Sequence, residues 1–255
     1  MKITQVRNAT LLLEVGGHRI VVDPMLGAKG SMDPFPAASG NTSRNPTVDL
    51  VVPLADLLDP DVVVVTHTHG DHWDTAAAAL LPRGVTLLVQ NQADAEEISA
   101  AGFQDVRILD GTVTVGQTSF TLTGGRHGAE EVLSALPVLG EVSGVVVRHP
   151  GEPTLYIAGD TVWNEKVQAA LAEHQPDVVV LNTGEARVGP GFAILMGDQD
   201  VLTVHEAAPA ARIVAVHMEA LNHCTVTRAQ VRDLARERGL GEQVLVPEDG
   251  ETLTF

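Results

Sequence analysis

Short apolar runs recur along the whole chain and are separated by polar or glycine-rich turns. Residues 11–15 and 18–22 flank Gly16 and Gly17, which predicts a hairpin closed by a two-residue turn. Residues 62–65 are valine without interruption, and this pattern favours a strand buried on both faces. The same reasoning predicts further strands at residues 85–89, 113–115, 119–123, 145–148, 154–158, 178–181, 213–216 and 253–255.

Segments of helical composition lie between these strands. Asp74 is placed to cap a helix over residues 75–81, and Thr227 with Gln230 forms a capping box for a helix over residues 227–238. Other helices are expected at residues 93–101, 163–174 and 198–208. No linker interrupts the alternation, so we expect one α/β domain over residues 1–255, with helices outside two packed sheets.

Residues 27–47 break the pattern, because they are rich in Gly, Ser, Pro and Asn and show no periodicity. A loop of this length inside a compact domain is uncommon unless it is functional or mobile. We therefore expect a lid over a functional site.

Composition and charge indicate which kinds of molecule the protein can bind. Apolar residues make up 44% and charged residues 19% of the 255 residues, which is typical of a globular protein. The formal net charge of −17 argues against binding to nucleic acid or to an anionic membrane surface, since both require a basic face. A small-molecule substrate is expected, and an anionic one stays open because bound divalent ions would reverse the local field.

Targeting features are few. Cys224 is the single cysteine, so an intramolecular disulfide is impossible. No run approaches the ~20 apolar residues that cross a bilayer, and the first seven residues do not resemble a signal segment. We expect a cytoplasmic protein, and the sequence leaves its oligomeric state open.

The densest chemistry follows the valine strand. His67, His69, Asp71 and His72 lie within six positions, between a buried strand and a helix N-terminus. Burying three imidazoles and a carboxylate so closely would be costly without a cation between them. The cluster therefore predicts a metal site, with two ions.

Three more polar residues occupy the same kind of position, just past an apolar strand. His127 and Asp160 follow strands through short glycine-containing turns, and His217 follows its strand directly. If the strands lie side by side, all seven residues converge at one rim of the fold.

With these residues in this order, the chain resembles the metallo-β-lactamase superfamily, and most closely the branch of ascorbate-phosphate lactonases and uncharacterised hydrolases. The resemblance implies an αββα sandwich of mixed sheets with a dinuclear site between them. It assigns one ion to His67, His69 and His127. It assigns the other to Asp71, His72 and His217, with Asp160 bridging both.

Two such ions would lower the pKa of a shared water and polarise a substrate oxygen. The expected function is a metal-dependent hydrolase in which a metal-bound hydroxide attacks an ester, lactone or phosphoester, while Asp71 orients or deprotonates the water. The histidine-rich ligand set favours zinc, and manganese or iron would also fit. A phosphodiesterase or nuclease with the same site, and a non-catalytic metal-binding sensor, remain alternatives.

His223 is the second catalytic candidate, because it is placed to donate a hydrogen bond to an oxyanion or leaving group. It also competes with His217 for the ligand position.

Cys224 is interpreted as a small buried group and Trp73 as packing beneath the metal loop. The stripe of Arg228, Arg232 and Arg236 is interpreted as a solvated helix face. Turn or structural roles are assigned to the 44–46 segment, His18, His149, His174 and His205.

Overall fold

The computed structural model describes residues 1–255 and contains two seven-stranded sheets. The first sheet has the strand order β16-β1-β2-β3-β4-β5-β6. Strands β3 to β6 run parallel, whereas β1 pairs antiparallel with both β2 and β16. Its strands are β1 (Lys2–Arg7), β2 (Thr10–Val15), β3 (His18–Val22), β4 (Val62–Val65), β5 (Thr86–Val89), β6 (Asp105–Ile108) and β16 (Thr252–Thr254).

The second sheet is also mixed and has the order β15-β14-β11-β10-β9-β8-β7. Strands β10, β11, β14 and β15 run parallel, and β7 to β10 pair antiparallel. Its strands are β7 (Thr112–Val115), β8 (Thr118–Gly124), β9 (Ser143–Arg148), β10 (Leu155–Ile157), β11 (Val178–Asn182), β14 (Arg212–Val216) and β15 (Val244–Leu245). A separate small hairpin joins β12 (Arg187–Val188) and β13 (Phe192–Ala193).

Six α-helices connect these strands, and none is long and apolar enough to cross a membrane. Asp74 caps the first helix as predicted, by accepting a hydrogen bond from the Ala77 N–H over 2.7 Å. The predicted capping box of Thr227 and Gln230 opens the last helix. The helices are α1 (Thr75–Leu80), α2 (Gln92–Ala100), α3 (Glu130–Ala135), α4 (Glu165–His174), α5 (Asp198–Ala207) and α6 (Arg228–Glu237).

The first hairpin shows how local sequence sets the fold. Val15 pairs with His18 across a two-residue turn, and both intervening glycines have positive φ, 57° and 84°. That turn favours glycine because a side chain is strained in the left-handed region. A Cβ on Gly16 would also lie 2.3 Å from the ring of His149, so the prediction of a tight glycine turn is confirmed.

The core lies in three apolar layers. Val62 and Val64 of β4 pack between the two sheets against residues such as Val145 of β9, while Val63 and Val65 face the helices α1 and α2. A third cluster packs the outer face of the second sheet against α4, α5 and α6. The four-layer αββα architecture with two mixed sheets is therefore confirmed, and β4 is buried on both faces as expected.

Strand direction positions the site. Strands β8, β10 and β14, which precede His127, Asp160 and His217, are not direct neighbours, because β9 and β11 lie between them. They nevertheless point the same way, since β8 and β10 each pair antiparallel with β9. Their carboxyl ends therefore open on one rim, which the end of β4 reaches from the other sheet.

Residues 27–47 form an irregular segment that hydrogen bonds tie to distant parts of the chain, and the lid role expected from its composition stays a prediction. The buried guanidinium of Arg7 donates to the carbonyls of Met25 over 2.5 Å and Gly27 over 2.8 Å. Within the segment, Met32 and Asn45 form an antiparallel β-bridge, and at its end Thr47 N donates a hydrogen bond to Ala220 O over 2.8 Å. Arg44 pairs with Asp33 and Gly30 inside the segment.

The solvated helix face predicted for α6 is wrong at Arg228. This guanidinium is buried, because the C-terminal segment folds over the start of the helix. It pairs with Glu219 over 2.7 Å and with Asp249, and its Nε donates to Pro247 O over 3.0 Å. Arg232 and Arg236 remain at the surface, paired with Glu248 and Asp233 respectively.

Candidate metal centre

The first group of donor atoms consists of three imidazoles at the ends of β4 and β8. His67 Nε2 lies 3.1 Å from His69 Nδ1. The ring of His127 lies 5.8 Å from that of His67 and 5.3 Å from that of His69, measured between centroids. His67 and His127 are buried and His69 is half-buried, so the group is reached from one side.

The second group consists of two carboxylates and two imidazoles. His72 Nε2 lies 3.2 Å from Asp160 Oδ2 and 3.5 Å from Asp71 Oδ2. His217 Nε2 lies 3.3 Å from Asp71 Oδ2 and 3.5 Å from Asp160 Oδ1. Asp160 Oδ2 is also 3.8 Å from His127 Nε2, so this carboxylate lies between the two groups.

These spacings fit metal ions. Donor atoms at about 2.0–2.1 Å from a tetrahedral ion lie roughly 3.3–3.4 Å from one another. This is close to the 3.1 Å between His67 and His69 and to the 3.2–3.5 Å between imidazoles and carboxylates in the second group. In addition, His72 Nε2 is buried and has no hydrogen-bond partner, although two carboxylates surround it. Within each group all donor atoms lie within 4.8 Å of one another. The structure thus brings together all seven residues singled out from the sequence, in two adjacent groups.

Asp23, at the end of β3, orients donors of both groups. Its carboxylate accepts hydrogen bonds from His72 Nδ1 over 2.8 Å and from the Thr66 hydroxyl over 2.7 Å. The Thr66 hydroxyl in turn lies 3.2 Å from His67 Nδ1. Both histidines therefore donate through Nδ1 and leave Nε2 free as a ligand. The sequence signal for Asp23 was its position directly after an apolar strand, as for the ligand candidates.

The remaining donors are held in the same way. His127 Nδ1 donates to Ile194 O over 2.8 Å, and His69 Nε2 donates to Val138 O over 3.2 Å. Asn182 Nδ2 donates to Asp160 Oδ1 over 2.6 Å. Partners of this kind fix the tautomer and the ring orientation of metal ligands. They are further functional residues that the sequence did not reveal.

The two groups differ electrostatically. Burial, together with the neighbouring imidazoles, lowers the pKa of His67, and burial lowers the pKa of His127. Burial acts in the same direction on His72 and His217, but nearby carboxylates, Asp160 first, outweigh it and raise the pKa of both. His67 and His127 therefore favour the neutral form, whereas His72 and His217 favour the protonated form beside the two carboxylates.

The pKa of both carboxylates in the second group is lowered. Burial acts to raise the pKa of Asp71 and of Asp160, but the charge of His72 and its neighbours outweighs burial and holds both well below the usual range. A carboxylate must be deprotonated to bind a metal ion, so the fold prepares both as ligands.

His223 lies outside both groups of donor atoms, whereas His217 belongs to the second group. The side chain of His223 is 7% exposed, Nδ1 is buried without a hydrogen-bond partner, and burial lowers its pKa to about 4.

Cys224 is half-buried, with its sulfur 3.8 Å from His217 Nδ1, and burial raises the pKa of its thiol. Trp73 packs edge-on against Phe103 beneath the metal loop, as predicted.

Access to the first group is visible at the surface. A cavity of about 350 Å³ reaches His67 and His69 and is lined further by Asn91, Asp94 and Val138. A larger cavity of about 830 Å³ includes Met1, Gly16 and Glu152 and contains none of the seven donor residues.

Comparison with known proteins agrees with this geometry. A family model described as the Beta-lactamase superfamily domain matches residues 18–218. The protein YddR of Bacillus subtilis (strain 168) is 41% identical, over 100% of both chains.

Two solved structures are similar over the whole chain. One is an isothiocyanate hydrolase from Delia radicum gut bacteria, 41% identical with a TM-score of 0.96, covering 100% of this chain and 99% of that one. The other is a possible metal-dependent hydrolase from Veillonella parvula DSM 2008, 38% identical with a TM-score of 0.95, covering 100% and 99%.

Proposed function

This chain belongs to the β-lactamase superfamily as a metal-dependent hydrolase with the metallo-β-lactamase fold, and we propose that it hydrolyses a small uncharged electrophile, an isothiocyanate first of all. The similar isothiocyanate hydrolase supplies the substrate class to test. Esters and lactones present a comparable electrophilic carbon and are the next substrates to examine.

One observation carries the proposal. Seven buried or half-buried donors form two groups at the carboxyl ends of the strands, and Asp160 lies between the groups. Such a pair of groups suits two divalent ions, and imidazole-rich ligation favours zinc over manganese or iron. Ions held there would activate a water molecule for attack at neutral pH and would polarise the substrate.

Asp71 and His223 take the catalytic roles. Asp71, with its low pKa, orients the attacking water through the carboxylate oxygen not directed at the histidines. His223 is neutral at the working pH and donates a hydrogen bond to the heteroatom of the substrate as charge develops there. Burial of both side chains excludes bulk water and strengthens these interactions.

The pairing of two arginine side chains near the metal centre supports an uncharged substrate. Arg126, next to His127, pairs with Glu165. Arg187, on the β12–β13 hairpin, pairs with Glu185 over 2.6 Å and donates to Gly191 O. Each guanidinium is thus already paired with a carboxylate, and the net charge of −17 opposes a nucleic-acid substrate. A phosphoester is therefore the least favoured of the expected substrates.

The proposal treats residues 1–255 as one catalytic domain. The core between the sheets supports it, because residues of both sheets contribute to one apolar cluster. The metal groups straddle the same two sheets, so neither sheet alone carries the site.

A substrate panel tests the proposal. Hydrolysis of R–N=C=S by one water yields the amine R–NH2 and carbonyl sulfide, and both products are measurable. Purified protein loaded with zinc is assayed against benzyl isothiocyanate, a lactone, an aryl ester and a bis-aryl phosphate. Release of amine with equimolar carbonyl sulfide is expected. Turnover of the bis-aryl phosphate alone would decide for a phosphodiesterase.

Matched histidine and aspartate variants connect turnover to the site. His127→Ala and Asp160→Ala are expected to lose bound metal and activity, whereas His205→Ala, on α5, keeps both. Binding of two equivalents of metal without turnover of any substrate in the panel would contradict the proposed function and favour a non-catalytic metal-binding protein.

A further inference from the structure

The ring of Phe35 meets the ring of His223 edge-on, with centroids 4.9 Å apart and an interplanar angle of 60°. Phe35 is half-buried and comes from the 27–47 segment, whereas His223 follows the metal ligand His217 by six residues. An aromatic side chain thus lies against the histidine proposed to contact the substrate.

Asn222 connects these two parts of the chain through hydrogen bonds of both its side-chain oxygen and its side-chain nitrogen. Its Oδ1 accepts from Phe35 N over 3.0 Å and from Asn45 Nδ2 over 2.9 Å. Its Nδ2 donates to Phe35 O over 2.9 Å and to Asn41 O over 2.6 Å. Asn222 is 2% exposed and adjacent to His223, so the backbone of Phe35 is fixed relative to that ring.

The surroundings of Phe35 are apolar. Met25, Ala220 and Leu221 form a small buried cluster on which Phe35 and Met32 pack. Cys224 contacts this cluster and also a second one that includes Ile194, whose carbonyl holds His127. Apolar side chains therefore extend from Phe35 to Cys224, whose sulfur lies 3.8 Å from His217 Nδ1, while His217 Nε2 lies 3.2 Å from the amide of Asn8.

Phe35 is only partly buried. It packs on the small apolar cluster but keeps part of its surface open, on a segment otherwise rich in polar residues. Aromatic rings placed at a site contribute a large apolar contact area with little loss of conformational freedom.

We infer that Phe35 and His223 form the face that selects the organic substituent of the substrate, favouring aryl and extended alkyl groups, and that Asn222 is the positioning residue of this face. The inference rests on the proposed function, since it concerns the group attached to the hydrolysed bond. His223 meets the reacting heteroatom, and Phe35 contacts the substituent next to it.

Paired ligands test this face without requiring turnover. Phenylacetohydroxamic acid and acetohydroxamic acid chelate metal ions through the same group and differ in their substituent. Calorimetry on the zinc-loaded protein is expected to show a preference of about tenfold or more for the phenyl ligand, as expected for an apolar substituent in a fitted pocket. Phe35→Ala is expected to reduce that preference to about twofold, and Phe35→Leu to an intermediate value.

Phe192→Ala is the matched control, since Phe192 is a 49% exposed phenylalanine on the β12–β13 hairpin. It is expected to keep the preference and the zinc content. An unchanged preference in Phe35→Ala, or a loss in Phe192→Ala alone, would overturn the inference. Absence of isothiocyanate turnover would defeat the proposed function but leave this binding test intact.

Asn222 variants test the positioning role. Asn222→Asp keeps the two acceptor bonds and loses both donors, whereas Asn222→Ala loses all four bonds. We expect amide hydrogen exchange in residues 27–47 to be slowest in the parent, faster in Asn222→Asp and fastest in Asn222→Ala. The preference for the phenyl ligand should fall in the same order. Loss of the preference without faster exchange, or faster exchange with the preference intact, would contradict the assigned role.

Discussion

Asp23 accepts a 2.8 Å hydrogen bond from Nδ1 of His72, and both side chains are wholly buried. The same carboxylate also accepts from the Thr66 hydroxyl, which lies against His67. One aspartate on β3 therefore fixes a donor in each of the two groups.

Asp23→Asn is expected to weaken metal binding while keeping the side-chain size. An asparagine amide placed toward His72 Nδ1 would present a donor to a donor, so the imidazole would lose its orientation. Loss of such an outer partner typically costs about 10–100-fold in metal affinity. Competition with a chelating dye measures the affinity, and Asp61→Asn, at an exposed carboxylate, is the control. Equal affinities in both variants would refute the orienting role of Asp23.

The second group should bind metal in a strongly pH-dependent way. Because nearby carboxylates raise the pKa of His72 and His217, both hold their protons more tightly in the metal-free protein than a free imidazole does. An incoming ion must displace those protons, so affinity rises with pH. The first group should show a weaker dependence, since the pKa of His67 and His127 is lowered. Calorimetry in buffers of different ionisation enthalpy would count the released protons, and two pH-independent phases would contradict the prediction.

The same shifts affect stability without metal. A histidine whose pKa is raised by folding stabilises the fold below its unfolded pKa, and this stabilisation is lost as pH rises through the folded pKa. We therefore expect the metal-free protein to lose stability above pH 6.5, whereas the loaded protein does not. Thermal unfolding with and without a chelator across this range provides the measurement, and parallel curves would exclude the effect.

The residues of the candidate site were predictable because each follows an apolar strand, and parallel or aligned strands bring their ends together. The valine run at residues 62–65 and the capping box at Thr227 are local patterns, and both were correctly predicted. In contrast, the pairing of Asp23 with His72 depends on β3 lying beside β4, and no local pattern encodes that neighbour relation.

Other features were missed for physical reasons. Helix α3 and the β12–β13 hairpin are too short to show a period, and α4 begins at Glu165 because Asn164 caps it. The placement of residues 27–47 depends on contacts with Arg7 and Asn222, which are distant in sequence. Loop composition indicates that regular structure is absent, but it does not reveal which distant side chains hold the loop.

Arg7 should be essential for that segment. Its guanidinium is fully buried and donates to three backbone carbonyls, including Val48 O over 3.4 Å. Arg7→Lys removes the planar fork and leaves at least one buried carbonyl unpaired, at an expected cost of about 2–4 kcal/mol. Urea unfolding measures the loss, and proteolysis within residues 27–47 should accelerate. Arg107→Lys, at an exposed edge strand, is expected to change stability by less than about 0.5 kcal/mol. Equal losses in the two variants would exclude the anchoring role.

Tyr156 lies in β10, packed among the residues between the second sheet and its helices, and it is the single tyrosine of the chain. It is fully buried, and its hydroxyl has no hydrogen-bond partner, as is also true of the Thr123 hydroxyl. Burial raises its pKa to about 12. The folded protein therefore holds this proton more tightly than the unfolded chain, and stability falls as pH rises above 10.

Tyr156→Phe removes an unpaired buried hydroxyl and keeps the ring. The variant is expected to be as stable as the parent or up to about 1–2 kcal/mol more stable at neutral pH, because no hydrogen bond is lost. The difference should widen above pH 10, where only the parent loses stability. Ultraviolet titration of tyrosinate in the parent should show ionisation near pH 12, falling to about 10 on unfolding in urea. A destabilised phenylalanine variant would instead mean that the hydroxyls of Tyr156 and Thr123 are bonded in solution.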